Sequence, residues 1–156
     1  MKRMGIIVVA GLLASGAAFA QAPAGWKVIK DEKGKCQMAV PADWQQGEIL
    51  GQKIAAAAAG DQSVDSVVSL MDGVNWAMFK STVFSIYTKE KDRPKIEDGA
   101  KRIWFEIVTM KPEGKTGWYV AVPGAAGTCN AQVNFKTGDK KAEETARKIV
   151  DSIRSG

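Results

Sequence analysis

The stretch that decides the fold runs from Thr128 to Lys136 and reads TCNAQVNFK. Apolar and polar residues alternate strictly along it, and this period of two predicts a β-strand with one buried face. The inward-facing set is Cys129, Ala131, Val133 and Phe135. The opposite side carries three amides, Asn130, Gln132 and Asn134, which we call the amide row. A strand of this kind turns one cysteine toward the core.

The second cysteine has a matching position. Residues 36–40 also alternate, with Cys36 on the inward side of a predicted strand. The chain has two cysteines, and an even number in an exported protein favours a disulfide over two separate buried thiols. We therefore predict a structural Cys36–Cys129 bridge. A redox-active pair is disfavoured because the cysteines lie far apart in the sequence.

The first twenty residues have the three-part layout of a secretory signal peptide. Lys2 and Arg3 give a positive start, and residues 15–20 supply the small residues of a cleavage site. The apolar stretch Met4–Ala14 is shorter than the roughly 20 residues of a membrane-spanning helix. We expect cleavage near Ala20, a flexible leader over residues 21–25, and a single domain over residues 26–156. The expected location is periplasmic or secreted, with no transmembrane segment in the mature chain.

Alternation and turn residues predict the remaining strands. They are expected at residues 26–30, 36–40, 64–71, 101–110 and 118–122. Large residues on both sides of the 101–110 segment predict a central strand covered on both faces. Residues 52–59 include five alanines and suit either a strand or a helix. Their short length and the flanking Gly51 and Gly60 favour the strand.

Two segments have helical periodicity. Residues 75–89 place Trp76, Phe79, Val83, Ile86 and Tyr87 on one face, and residues 139–154 carry an apolar stripe behind a capping Asp139. Residues 89–102 are charged and are expected to form an exposed connection, and residues 123–127 a hairpin loop. The predicted fold is a single α+β domain of strands and helices, with one helix at the C-terminal end.

The chain lacks residues that many reactions need. It contains no histidine, which excludes Ser-His-Asp catalysis and histidine-based metal sites. Its acidic residues do not have the spacing of a calcium loop, so we assign no catalytic residue, metal ligand or cofactor. Mild positive charge and export argue against a nucleic-acid partner. The expected function is a non-enzymatic binding or accessory role in the cell envelope. The alternative is a carboxylate-dependent hydrolase or glycan-active enzyme.

Two features suggest a binding surface for an envelope protein or a glycan. The amide row (Asn130, Gln132 and Asn134) offers hydrogen-bonding groups on one sheet face. Trp44 and Trp118 lie near predicted strand ends, where an aromatic ring is available to a partner. A glycan-binding module would use both. Burial of the amide row beneath a helix would count against that role, since its amides would then be satisfied internally.

Two further stretches resemble a known fold family. The sequence from Cys36 to Trp44, CQMAVPADW, is similar to the opening strand of the PsbP-like fold followed by its Pro-x-x-Trp motif. Residues 134–136 followed by residues 146–153 resemble the last strand and C-terminal helix of that family. The order of elements over residues 26–154 also fits. Together with the strands predicted above, the resemblance implies a mainly antiparallel sheet of about six or seven strands flanked by helices, including a C-terminal one. It also implies a binding or accessory role, and it carries over no active site.

Overall fold

Two antiparallel sheets form the framework of the protein in a computed structural model, which describes residues 22–85, 95–108 and 111–156. The strands are β1 (Trp26–Lys30), β2 (Cys36–Pro41), β3 (Gln45–Ile49), β4 (Gln52–Ala58), β5 (Val64–Asp72), β6 (Lys95–Asp98), β7 (Ile103–Ile107), β8 (Lys115–Pro123), β9 (Gly127–Lys136) and β10 (Arg154–Ser155). The larger sheet has the order β3-β4-β5-β9-β8-β7-β6, and the smaller one the order β1-β2-β10. The mainly antiparallel α+β architecture predicted from the sequence is confirmed, although it uses two sheets.

The strand predicted over residues 128–136 lies at the centre of the larger sheet, within β9. β9 pairs along its whole length with β5 on one side and β8 on the other. Its apolar side chains point into the core between the sheets, as predicted. The opposite face is also largely buried, so the expectation of a single buried face is wrong. A central strand has neighbours on both edges, and their side chains screen both of its faces.

The main core is sealed by the C-terminal helix α2 (Lys140–Ser152). Asp139 caps this helix by accepting a hydrogen bond from the Ala142 amide at 3.1 Å. Its buried stripe packs onto β9 and β2, and consists of Ala142, Ala146, Ile149 and Val150. The helix ends two residues earlier than predicted, because Arg154 and Ser155 pair with β2 as β10.

A second core lies on the other face of the larger sheet. The helix α1 (Trp76–Met78), capped by Asn75, continues as a π-helix over Phe79–Phe84. Phe79 stacks on Tyr119, and Phe84 packs against Phe105. The predicted helix start is therefore confirmed, but the segment is short and covers only the β7–β8 part of the sheet. Ile86 and Tyr87 lie outside the described residues.

Strand β3 was not predicted from the sequence. Strand β6 falls within residues 89–102, which were expected to form an exposed connection. The β3 sequence, QQGEI, has little alternation because neither of its faces is fully buried. Residues 52–58 form the strand that we favoured over a helix. The 101–110 segment contains β7, which is buried on both faces but lies second from the sheet edge instead of centrally. The predicted signal peptide lies outside the described residues.

Candidate functional site

The predicted disulfide joins the two sheets. Cys36 at the start of β2 is bonded to Cys129 in β9, with the Cα atoms 5.4 Å apart and both side chains fully buried. The bridge holds the smaller sheet against the centre of the larger one. A buried structural disulfide fits the oxidising conditions that an exported protein meets.

The amide row lies on the face of β9 that points away from the disulfide. Asn130 and Asn134 are buried, and Gln132 is half-buried. The Ser69 hydroxyl donates to Asn130 Oδ1 at 2.9 Å, and the Asn130 amide donates to the Ser69 carbonyl at 3.3 Å. Asn130 is thereby bonded to the neighbouring strand β5 and not presented to solvent.

The rest of the amide row belongs to a polar network within the sheet. Asp65 accepts hydrogen bonds from the Asn134 amide and from the Lys115 ammonium, both at 2.6 Å. Gln132 donates to Asn134 Oδ1 at 3.0 Å. These bonds satisfy the polar groups that burial would otherwise leave at a cost. The prediction that the amide row forms an open binding surface is therefore wrong, and its role is structural.

The two tryptophans assigned to the predicted binding surface are also buried. Trp118 packs edge to face against Trp104 and Phe135, with ring centroids 4.9 and 4.4 Å apart. The Arg147 guanidinium of α2 lies 5.4 Å from the Trp118 ring, a cation–π contact that anchors the helix. Trp44 lies in the same core. Both rings therefore occupy the opposite side of the sheet from the amide row, and the structure does not bring the two features together.

A polar cleft of about 430 Å³ lies beside Trp44, where the turn after β2 meets the β4–β5 turn and the start of α2. Its charged lining residues are Asp43, Asp61, Asp139 and Lys141. The hydroxyl and amide of Ser63 bond to Asp61 and hold the pKa of that carboxyl below its ordinary value. A general acid needs the opposite shift. In Asp61 the cleft therefore offers an ionised acceptor for hydroxyl or ammonium groups.

A second depression opens where β4 and β5 separate. These strands pair only over three positions, Ala56–Ala58 with Asp65–Val67, although β4 begins at Gln52 and β5 runs on to Asp72. The gap between the diverging ends is a groove of about 310 Å³, which we call the β4–β5 groove. Its apolar lining consists of Ile54, Ala55, Val67, Val68 and Leu70. The wall that faces β4 is thus a strand edge without a ladder partner among the described residues.

An ion pair closes the rim of the β4–β5 groove. The Lys33 ammonium donates a hydrogen bond to Asp72, which links the β1–β2 turn to the end of β5. The pair raises the pKa of Lys33 and lowers that of Asp72, first through the hydrogen bond and then through the charge of the partner. Both side chains are largely exposed, so this contact is a weak latch. Sequence reasoning missed this groove, because a failure of strand pairing leaves no pattern in the chain.

Within the described ranges, no group of three or more potential metal ligands lies together. No helix in this part of the chain is long and apolar enough to cross a membrane.

The comparisons with known proteins concern the fold. Neither a protein-family model nor a curated protein matches the chain. A crystal structure from Bacteroides thetaiotaomicron matches with a TM-score of 0.50 at 13% identity, over 85% of this chain and 48% of that one. The chain thus spans about half the length of this neighbour. The solution structure of a cyanobacterial PsbP from Synechocystis matches with a TM-score of 0.48 at 8% identity, over 94% of this chain and all of that one. At 13% identity, the likeness to the Bacteroides structure concerns the fold alone.

Proposed function

We propose that this chain is an exported, non-enzymatic binding or accessory protein of the cell envelope, and that the β4–β5 groove receives an extended segment of a partner protein. The observation that carries the proposal is the unpaired edge of β5 inside an apolar groove. The Cys36–Cys129 disulfide supports the periplasmic or secreted location.

The unpaired edge favours a peptide as the ligand. Backbone N–H and C=O groups of a strand edge are a template for another strand, and strand addition is a common mode of peptide recognition. β9 pairs with β5 from Val64 to Asp72, and this pairing holds β5 in place while its other edge faces the groove. A bound segment would continue the ladder where β4 turns away.

The groove lining indicates which side chains the partner would bring. Val67 and Val68 both line the groove from opposite faces of β5, where Val68 is buried and Val67 is 43% exposed. A strand in this position would place alternate side chains on the two faces, an apolar one toward Val68 and Leu70 and a more varied one toward solvent. The expected partner segment therefore alternates apolar and polar residues.

Site-specific photocrosslinking in the producing cells tests this function. A photoreactive benzoylphenylalanine replaces Val67 at the groove, and in the matched control it replaces Val108, which is 47% exposed after β7. The proposal predicts a defined adduct at position 67 that protease removes and that is missing at position 108. A Val67→Lys variant should lose the partner, whereas Val108→Lys should keep it.

Three results would count against the proposal. Identical adducts at positions 67 and 108 would show that the groove has no special role. An adduct that resists protease and is shortened by glycan hydrolases would assign the protein to the glycan-binding alternative. Absence of any adduct from position 67 would also count against a peptide ligand.

The alternative function, a carboxylate-dependent hydrolase or glycan-active enzyme, would use the polar cleft beside Trp44. Asp43 is the carboxylate there to test, because Asp61 and Asp139 accept hydrogen bonds from neighbouring backbone amides. Turnover of envelope glycans by the purified protein, abolished by Asp43→Asn, would favour this alternative over a binding role.

A further inference from the structure

The tip of the β3–β4 hairpin combines two features that a folded protein normally avoids. Leu50 is 99% exposed, and its backbone has a φ of 50°, in the left-handed region. Gly51 follows with a φ of 80°, so both central residues of the turn have positive φ. Turns of this geometry favour Asn-Gly or Asp-Gly, because a leucine Cβ is strained there. In the part of the chain that the structure describes, almost nothing covers the Leu50 side chain, so no packing offsets this strain.

The apolar surface of the tip extends to one neighbour. Ile49, at the end of β3, is 60% exposed and pairs with Gln52 across the hairpin. One step below, Glu48 lies opposite Lys53, and both are exposed. The end of the hairpin is therefore apolar, and one negative and one positive charge, those of Glu48 and Lys53, lie just below it. Since a strand advances about 3.3 Å per residue, Ile49 lies one such step beyond that charged pair, and Leu50 lies farther out in the turn.

These dimensions and charges match the surface of a phospholipid bilayer. Apolar groups of interfacial proteins enter about 5–10 Å into the boundary between headgroups and acyl chains. At that depth Glu48 and Lys53 would lie level with the headgroups. A zwitterionic headgroup carries one phosphate and one ammonium group, which complement the lysine and the glutamate respectively.

The hairpin is less suited to another copy of this chain. A register shift between Gln46 and Glu48 interrupts the outer strand β3 with a bulge, which disfavours pairing with a further strand. The side chains below the tip are polar, so the apolar surface is a narrow convex end. Protein interfaces bury an anchor at the centre of a broad patch. We propose that Ile49 and Leu50 insert into the zwitterionic surface of a phospholipid bilayer.

Flotation with phosphatidylcholine vesicles tests the proposal, using protein purified in its oxidised form from producing cells. The wild type should float with the vesicles, and Leu50→Asn should reduce the lipid partition coefficient by about tenfold or more, the lower end of what burial of a leucine is worth. Ile49→Asn should also weaken binding. Binding should persist in high salt, because the contact is apolar and the charges of Glu48 and Lys53 cancel.

Two control variants separate insertion from general effects. Met78→Asn changes an apolar side chain of similar exposure, 48%, at another site and should leave flotation unchanged. Gln62→Asn changes the other non-glycine residue with positive φ in the described chain and should likewise have no effect. Thermal unfolding of each variant verifies that it remains folded.

Several outcomes would overturn the proposal. One is that the wild type does not float with phosphatidylcholine vesicles, and another is that Leu50→Asn floats equally well. Binding that requires anionic phosphatidylglycerol and vanishes in salt would point to charge instead of the apolar tip. Sedimentation equilibrium without lipid completes the set. A dimer that depends on Leu50 would assign the tip to a second copy of the chain.

Discussion

Leu50→Asn should make the isolated protein more stable, although it replaces an apolar residue by a polar one. Leu50 is 99% exposed, so its replacement removes almost no buried apolar surface. Its φ of 50° lies where an L-residue other than glycine, asparagine or aspartate is strained by about 1–2 kcal/mol. Asparagine tolerates this conformation and creates the favoured Asn-Gly turn with Gly51. We expect a gain of about 1 kcal/mol in the free energy of unfolding, the lower end of that strain.

A gain of this size is measurable by thermal or urea unfolding followed through tryptophan fluorescence. For a domain of this length, 1 kcal/mol corresponds to a rise in Tm of about 3–5 °C. Leu50→Ala keeps the strained Cβ and should leave Tm nearly unchanged. Gln62→Asn, at the second strained position, should stabilise the protein by a similar amount.

The decisive comparison is between the two asparagine variants. If Gln62→Asn raises Tm while Leu50→Asn lowers it, the Leu50 side chain must pack against the protein in solution. The reasoning about an unsupported apolar tip would then fail, and with it the expected insertion into a bilayer. If both variants raise Tm, the wild-type leucine is retained at a cost to stability, which is typical of a functional position.

Three further predictions concern other parts of the molecule. Replacing Cys36 and Cys129 together by alanine should cost about 4–5 kcal/mol of unfolding free energy in the chain-entropy model, and the denatured, unreduced wild type should show no free thiol in a thiol titration. Asp65→Ala leaves a mostly buried lysine and an amide without their acceptor, so urea unfolding should show a loss of about 1–3 kcal/mol, with a smaller loss for Asp65→Asn. Asp61 should titrate below its ordinary value of 3.8 by NMR, and Ser63→Ala should return it toward that value. Because the folded-state pKa is lowered, the stabilising contribution of Asp61 is present above the unfolded-state pKa and is lost as the pH falls through the folded-state value.

The elements predicted well are those that are buried on at least one face. β9 and α2 have clear periods in the sequence because one side of each packs into the core. The inward positions of Cys36 and Cys129 also predicted the disulfide correctly. Two cysteines on the inward faces of their strands come together once the two sheets pack against each other. A buried face requires apolar side chains at a regular spacing, and that spacing identifies the strand or helix in the sequence.

The prediction of a binding surface on the amide row was wrong because burial of that face depends on contacts between residues distant in the sequence. The polar side of β9 resembles a solvent-facing row, but a central strand buries both faces. The Asn134 amide donates to Asp65 of β5, which also accepts a hydrogen bond from Lys115 of β8. These residues lie far from the amide row in the sequence, so no local sequence pattern predicts the contacts. Trp44 and Trp118 near strand ends were likewise covered by elements that only the tertiary fold brings near.

The features that carry the two proposals meet on one hairpin. The tip at Leu50 and the groove wall at Ile54 belong to the same strand pair, which joins the rest of the sheet through only three paired positions of β4. A segment bound in the β4–β5 groove would extend this ladder and restrain the hairpin. Restraint before insertion lowers the entropy that insertion must remove, so occupancy of the groove should strengthen vesicle binding. Thermodynamic linkage then requires vesicles to tighten partner binding by the same factor. The short β4–β5 pairing is therefore the element through which partner and membrane would communicate.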